Sequence, residues 1–259
     1  MALFDNVSFS GGDEVSKAIE TVSTYLHSTA SGNRINNSGD DASGSAVGEF
    51  LRADVATSRQ NSRNVQEGIS MLQTAENSAG AAGNILNHMK RLATQASNGT
   101  YSNQQRNIIQ QEFQQLSNEV ARIAVSTTFN GIQLHKAGQT IDIAVGDAET
   151  ISINTESMTV GSADLVNDAA GAAVMVNTVI NQVSGYRGSL GAGMNRLAGT
   201  ASVLDIKAEN LLAAESRISD ADMASSVASM TAGKIMLNAA LASQAQIKTI
   251  SQTITMLLG

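Results

Sequence analysis

Apolar residues recur at intervals of three and four along most of the chain. Near the start Val15, Ile19, Val22 and Leu26 step by 4, 3 and 4, one stripe of a helix. The stripe runs into a polar connector, Ser31-Gly32-Asn33-Arg34-Ile35-Asn36-Asn37-Ser38-Gly39-Asp40-Asp41, rich in turn formers. Asp40 or Asp41 stands where a carboxylate would cap the next helix. From Ser43 to Asn98 no proline intervenes, and Val65, Ile69, Leu72, Ala75, Ala79, Ala82, Leu86, Met89, Leu92 and Ala96 repeat in steps of three and four. One helix of that span is roughly 80 Å long at about 1.5 Å per residue. Its stripe is narrow and partly alanine, so it cannot bury itself and predicts neighbouring helices.

Asn98-Gly99 closes this helix with a residue compatible with a left-handed cap. Ile109, Phe113, Leu116, Val120 and Ile123 then form a heptad seam, predicting a second helix that returns along the first. Phe129-Asn130-Gly131 marks a turn. Beyond it Ile141, Ile143 and Val145 alternate with Asp142 and Ala144, and the alternation resumes at Ile151 and Ile153, predicting a β-hairpin near residues 133–160. The sharpest period lies further on, where Val183, Leu190, Leu197, Leu204, Leu211 and Ile218 fall seven apart. Their companion positions are small or polar, among them Tyr186, Gly193, Thr200 and Lys207, which suits a mixed bundle better than an isolated zipper. Ser219-Asp220-Ala221-Asp222 interrupts the seam with a second candidate N-cap, and a terminal helix follows with Met223, Val227, Met230, Leu237, Leu241, Ile247, Ile250, Ile254 and Leu257.

The expected fold class is therefore mainly α, with long coiled-coil-like helices in a rod-shaped bundle and a small β-hairpin region. The opening twelve residues, ending in Gly11-Gly12, are expected to be frayed or hinge-like. Neither terminal segment can bury its apolar face alone, so the two are expected to pair with each other, with other subunits, or with both. Residues 1–40 with 221–259 form one discontinuous unit in this reading, and residues 41–220 form a helical rod.

Composition narrows the choice of function. Three Tyr, five Phe and no Trp leave little for a thick core built on large rings. Proline is absent where average usage of about 5% would supply several, as long unbroken helices require. Cysteine is absent too, which excludes disulfides, thiolate metal sites and thiol nucleophiles. A net charge of −7 with 15% charged residues disfavours nucleic acid and polybasic membrane anchoring, and fits surface buried against copies of the chain. No apolar run of about 18 residues predicts a membrane span, and no cleaved export signal is legible at the start.

Catalytic chemistry finds no purchase. His27, His88 and His135 lie in unrelated segments without a second ligand at helical spacing, and read as surface or interface histidines. Gly44 with Gly48, and the Gly185 to Gly199 cluster, lack the P-loop pattern and read as close helix packing. Asp40-Asp41 reads as capping rather than a catalytic pair. Met223, Met230, Met236 and Met256 read as seam residues. No nucleophile, base and oxyanion site assemble, so the expectation is a protein that is not an enzyme and needs no metal or cofactor.

Several stretches carry a family resemblance. Ser31-Gly32-Asn33-Arg34-Ile35-Asn36 followed by Asp40-Asp41-Ala42 resembles the S-G-x-R-I-N-x-x-x-D-D-A signature of bacterial flagellins. Asn64 to Ser70, Leu92 to Asn98 and Phe129 to Leu134 are similar to the family in order, and Glu215-Ser216-Arg217-Ile218-Ser219-Asp220-Ala221-Asp222 resembles its S-R-I-x-D-A-D motif. The resemblance covers about residues 15 to 258. Two stretches depart from it. The segment Leu3 to Phe9 lacks the usual I-N-x-N opening, and Thr249 to Ile254 lacks the Pro often found there.

The resemblance implies an extracellular flagellar filament subunit that self-polymerises and serves motility. Its paired termini would form the inner-tube domain, and its central helices and hairpin the next domain outward. Only about Val160 to Ala172 separates the hairpin from the following helix, so no variable outer domain is expected. It further implies export through the flagellar type III apparatus without signal cleavage, a secretion chaperone on the C-terminal segment, and flagellar cap and hook-associated proteins as partners. The seams Val15, Ile19, Val22, Leu26, Val183, Leu190, Leu197, Leu204, Leu211, Ile247, Ile250 and Ile254 would be the packing residues. The family's Arg-Leu-Glu contact set for a Toll-like flagellin receptor falls on His88, Leu92 and Glu112, with His in place of Arg. Competing readings are a hook-filament junction or minor filament protein of the same superfamily, and a coiled-coil signalling rod.

Overall fold

The computed structural model describes residues 2–146 and 149–258, with the side chains of 2–12, 14, 251, 255, 257 and 258 left aside. It is mainly helical. The order is α1 (Ala2–Ser31), α2 (Ala42–Ala96), α3 (Asn103–Ser126), two short hairpins, α4 (Ala169–Ser219) and α5 (Met223–Leu258). The first hairpin pairs β1 (Thr128–Phe129) with β2 (Ile132–Gln133), and the second pairs β3 (Thr140–Ala144) with β4 (Thr150–Asn154), both antiparallel. The chain divides into two compact units, residues 1–55 with 209–259 and residues 56–208. These boundaries fall within α2 and α4, beyond the polar connectors where the sequence pattern places the division.

One expectation is corrected at the start of the chain. The opening residues are not a frayed lead-in, since α1 begins at Ala2 and runs through Gly11 and Gly12. Glycine costs about 1 kcal/mol in a helix interior, yet it keeps its backbone donor and leaves the hydrogen-bond ladder intact. Proline alone would break the ladder, and the chain has none.

Within residues 56–208, α2 and α4 run antiparallel. Ser62 reaches Asp205 (2.9 Å), Glu76 reaches Arg187 (2.5 Å) and Lys90 reaches Asn177 (2.7 Å), so numbers rise on one helix as they fall on the other. Val65, Leu72, Ala79, Ala82, Leu86 and Met89 from α2 meet Ile109, Phe113 and Val120 from α3 and Val176, Val183, Leu190 and Leu197 from α4 in one buried cluster. Leu204 belongs to it too, whereas Leu211 is only half-buried. Ser102 opens α3 with a capping box, its hydroxyl accepting from the Gln105 amide while the Gln105 side chain accepts from Ser102.

The hairpin explains why the α4 seam has irregular companion positions. Ile143, Val145, Ile151 and Ile153 turn inward and are buried, while Asp142 and Ser152 hydrogen-bond across the outer face (2.6 Å). Ile143 lies over Gly68, where a Cβ would come within 2.7 Å of its Cδ1, and Ile153 lies over Gly193, where a Cβ would come within 2.8 Å. Two glycines thus form the notches that seat the hairpin on α2 and α4, and the small companion residue Gly193 faces both the strand and Leu72 of α2, 3.2 Å from where a Cβ would stand. The turn joining β1 to β2 was legible as a turn but not as strands. Asn130 (φ 48) and Gly131 (φ 80) occupy its left-handed positions, as a two-residue hairpin turn requires.

From β4 the chain crosses to α4 through residues 155–168. Gln110 holds this crossing on both sides, donating to the Ala163 carbonyl (2.8 Å) and accepting from the Leu165 amide (2.7 Å). Met158 and Leu165 are fully buried beneath it. Asp168 then caps α4 by accepting from the Gly171 amide (2.8 Å).

In the other unit α1 and α5 pack along each other. Ala18 is buried, and Gly233 lies against Val22, where a Cβ would stand 3.0 Å from its Cγ2.

Candidate functional site

Two connector motifs far apart in sequence meet in the unit of residues 1–55 and 209–259. The Arg34 amide donates to the Ser219 carbonyl (2.6 Å), the Ala221 amide donates to the Gly32 carbonyl (2.9 Å), and Asn33 bridges Asp220 as in an antiparallel strand pair. Arg34 adds its side chain, donating to the Ile218 carbonyl (2.9 Å) and standing 3.4 Å from Asp41. Nearby, Arg52 of α2 pairs with Glu215 of α4 (2.7 Å) and donates to Ser219 (3.1 Å). The S-G-x-R-I-N and S-R-I-x-D-A-D stretches are the two halves of one joint.

The carboxylates of this joint act as caps. Asp41 accepts from the Gly44 amide (2.8 Å) and the Ser43 hydroxyl (2.9 Å), closing the start of α2. Asp40 holds the connector instead, accepting from the Asn36 and Asn37 amides (3.0 and 2.9 Å). Hydrogen bonds to the Asn37 and Asn36 amides hold the Asp40 carboxyl below the usual range, and those from Gly44 and Ser43 do the same for Asp41. Asp222 caps α5, accepting from the Ala224 and Ser225 amides (2.9 and 3.1 Å). A polar groove of about 1000 Å³ runs beside the joint, its walls including Lys17, Tyr25, Arg34, Asp40, Asp222 and Ser226.

The terminal helices keep open apolar faces despite their mutual packing. Among the expected seam residues, Ile19 and Leu26 of α1 and Ile250 of α5 are exposed, while Val15, Val22, Ile247 and Ile254 are half-buried. Met223, Val227, Ile235, Met236 and Leu241 extend the exposed apolar surface of α5. Such a surface has the character of an interaction face. In the unit of residues 56–208, by contrast, Val183, Leu190, Leu197 and Leu204 are buried within the chain.

His88 and Glu112 are brought together on neighbouring helices, His88 Nε2 lying 3.5 Å from Glu112 Oε1 with side chains 40% and 50% exposed. Leu92 is not part of that surface to any extent, being 6% exposed and committed to the buried cluster.

His135 corrects a further expectation. It is not a surface histidine but 5% exposed, between Ser78 of α2 and Tyr186 of α4. The Ser78 hydroxyl lies 2.9 Å from the Ala75 carbonyl and meets His135 Nε2 in a hydrogen bond of 2.6 Å. Nδ1 is buried with no hydrogen-bond partner. The Tyr186 ring stands edge-on at 5.7 Å, and its hydroxyl donates to the Leu134 carbonyl (2.9 Å). Burial pushes His135 down to about 4 and, with the charge of Glu156 second, pushes Tyr186 up to about 12. The only sequence signal for this placement was position: His135 follows a buried leucine just before the hairpin.

An acid-linked loss of stability follows. Above about pH 6.5 His135 is neutral in both folded and unfolded chains. As pH falls from about 6.5 to about 4 the unfolded chain takes up a proton that the folded one refuses, so stability drops by up to roughly 3 kcal/mol. Urea unfolding of the unpolymerised chain across that window measures the drop, and His135→Gln should flatten it. An unchanged slope in the variant would assign the loss to other groups.

Among the described residues no three His, Asp or Glu side chains group as a metal site, and no helix is long and apolar enough to cross a membrane. What the geometry defines is a subunit whose two ends are joined to each other and still present apolar surface. Residues 12–140 match the family model of the bacterial flagellin N-terminal helical region, and residues 173–258 match that of the C-terminal helical region. The chain belongs to the bacterial flagellin family. It is similar to a flagellin of Halalkalibacterium halodurans (37% identical, covering 90% of each chain). It is also similar to the flagellar filament core protein flaB2 of Brachyspira hyodysenteriae (35% identical, 89% of this chain and 90% of that one). A crystal structure of Bacillus cereus flagellin superposes with a TM-score of 0.51 at 29% identity, over 54% of this chain and 88% of that one. Family membership carries the class of function, a structural subunit of a filament.

Proposed function

We propose that this chain polymerises into the extracellular filament of a bacterial flagellum, with residues 1–40 and 221–259 as the inner-tube domain and residues 41–220 as the helical rod domain. The observation that carries this reading is the open apolar surface of α1 and α5, left on helices already paired with each other. Burying it requires further copies, and ordering those helices on assembly would couple folding to polymerisation. Export through the flagellar type III apparatus, a chaperone on α5 before assembly, and cap and hook-associated proteins at the filament end belong to the same reading, by family likeness. So does a Toll-like flagellin receptor at the His88, Leu92 and Glu112 positions, where the partly exposed His88–Glu112 pair would supply the polar contact and the buried Leu92 would have to be uncovered to take part.

Electron microscopy of the purified chain, seeded with filament fragments and followed by sedimentation, is the test. Long tubular filaments are expected. Persistent monomers or dimers in every seeded condition would return the choice to a junction protein or a signalling rod.

A further inference from the structure

We infer that Phe50 is an anchor by which one copy of the chain docks onto a neighbouring copy in the polymer, a contact made by α2 rather than by the terminal helices. This rests on the filament reading. Phe50 is 73% exposed, and among residues whose side chains are described it is the sole exposed aromatic in a chain with only eight. The other described rings, Tyr25, Tyr101, Phe113, Phe129 and Tyr186, are all at least half-buried.

The first turns of α2 are clearly two-sided. Val55 faces inward and is buried, and Arg52 is engaged with Glu215 and Ser219. The opposite face presents Ala46, Val47, Phe50 and Ala53, all exposed, with Val47 46% exposed one turn before Phe50. The ring stands as a knob beside the small residues Ala46, Val47 and Ala53, with the exposed acids Glu49 next to it and Asp54 one turn on. Aromatic residues in such settings dominate protein interfaces because they bury a large area at the expense of few rotatable bonds.

Two facts name the occupant. Relatives matching about 90% of the chain are filament core proteins, so the surface nearest to any subunit belongs to another copy. An open helical polymer is also built from heterologous contacts, in which a patch meets a different patch; a self-matching contact closes into a dimer and stops growth. Phe50 therefore meets a surface of its neighbour other than residues 43–54.

Phe50→Ala separates this contact from folding, because a ring this exposed supports nothing in its own subunit. The variant should melt with the parent and leave about tenfold or more unpolymerised chain at equilibrium with seeded filaments. Equal residual monomer in variant and parent would overturn the inference and leave the filament reading standing, while failure of the parent to polymerise would overturn both. A second readout is independent of energy: p-benzoylphenylalanine in place of Phe50, irradiated in filaments, should join two chains through a peptide outside residues 43–54. Joining within residues 43–54, or no joining of chains, would overturn it as well.

Discussion

A chain ending at Asp222 is expected to keep its 56–208 unit folded and to form no filaments, however heavily it is seeded. None of the residues in the main buried cluster comes from α5, so the deletion takes no side chain from that core. Its loss falls on α1, which packs along α5 and has Gly11 and Gly12 in its own body. Helices in proteins draw most of their stability from packing an apolar face, so α1, with two glycines in its body, should lose its structure with its partner. The circular dichroism of the truncated chain should therefore show less helix than the deletion alone removes. Its remaining helix should still melt in one cooperative step. The joint at Arg34 and Ser219 stays within the truncated chain, so failure to polymerise would point to the terminal helices and not to the connectors. Filament growth at the parent's rate would refute the role given to the ends.

The second large effect is Phe113→Ala, expected to cost about 3–5 kcal/mol of stability. Phe113 is 1% exposed and is the largest fully buried side chain in the structure's described residues. It holds α3 to the cluster together with Ile109 and Val120, and α3 in turn carries the Gln110 clasp on the crossing to α4. Urea unfolding should show a midpoint well below the parent's, with the slope preserved if the transition stays two-state. Phe50→Ala on the same instrument should give no shift. Two truncations of the same side chain thus divide cleanly, one felt in folding and the other in assembly. A small loss at Phe113 would mean that α3 can close over the missing ring.

The long helices were legible because their stripes are long and unbroken, and periodicity is the signal that survives without knowledge of neighbours. The β3–β4 hairpin was legible for the same reason, with Ile141, Ile143, Ile151 and Ile153 marking one face. Contacts between separated segments were not. The pairing of Arg34 with Ile218 spans 184 positions, and no local pattern announces it. His135 was misplaced because its burial depends on Ser78 and Tyr186, which only the packed helices bring to it. The irregular companion positions of the α4 seam looked like imperfections of a coiled coil, and Gly193 makes sense only once Ile153 lies upon it. Asp40 and Asp41 were equivalent as caps on paper; the turn at Asn36 and Asn37 claims one, and α2 the other.

The antiparallel course of α2 and α4 has a consequence for the order in which the chain completes itself. Closing the joint directly from an unfolded chain would mean trapping a loop of 184 positions for a few hydrogen bonds. Once Ser62 faces Asp205 within the 56–208 unit, only short tethers separate the joint's two halves from an already paired stem. The middle of the molecule thus works like the body of a zip fastener, and once its teeth have closed the two tails beyond it come together at a smaller entropic cost.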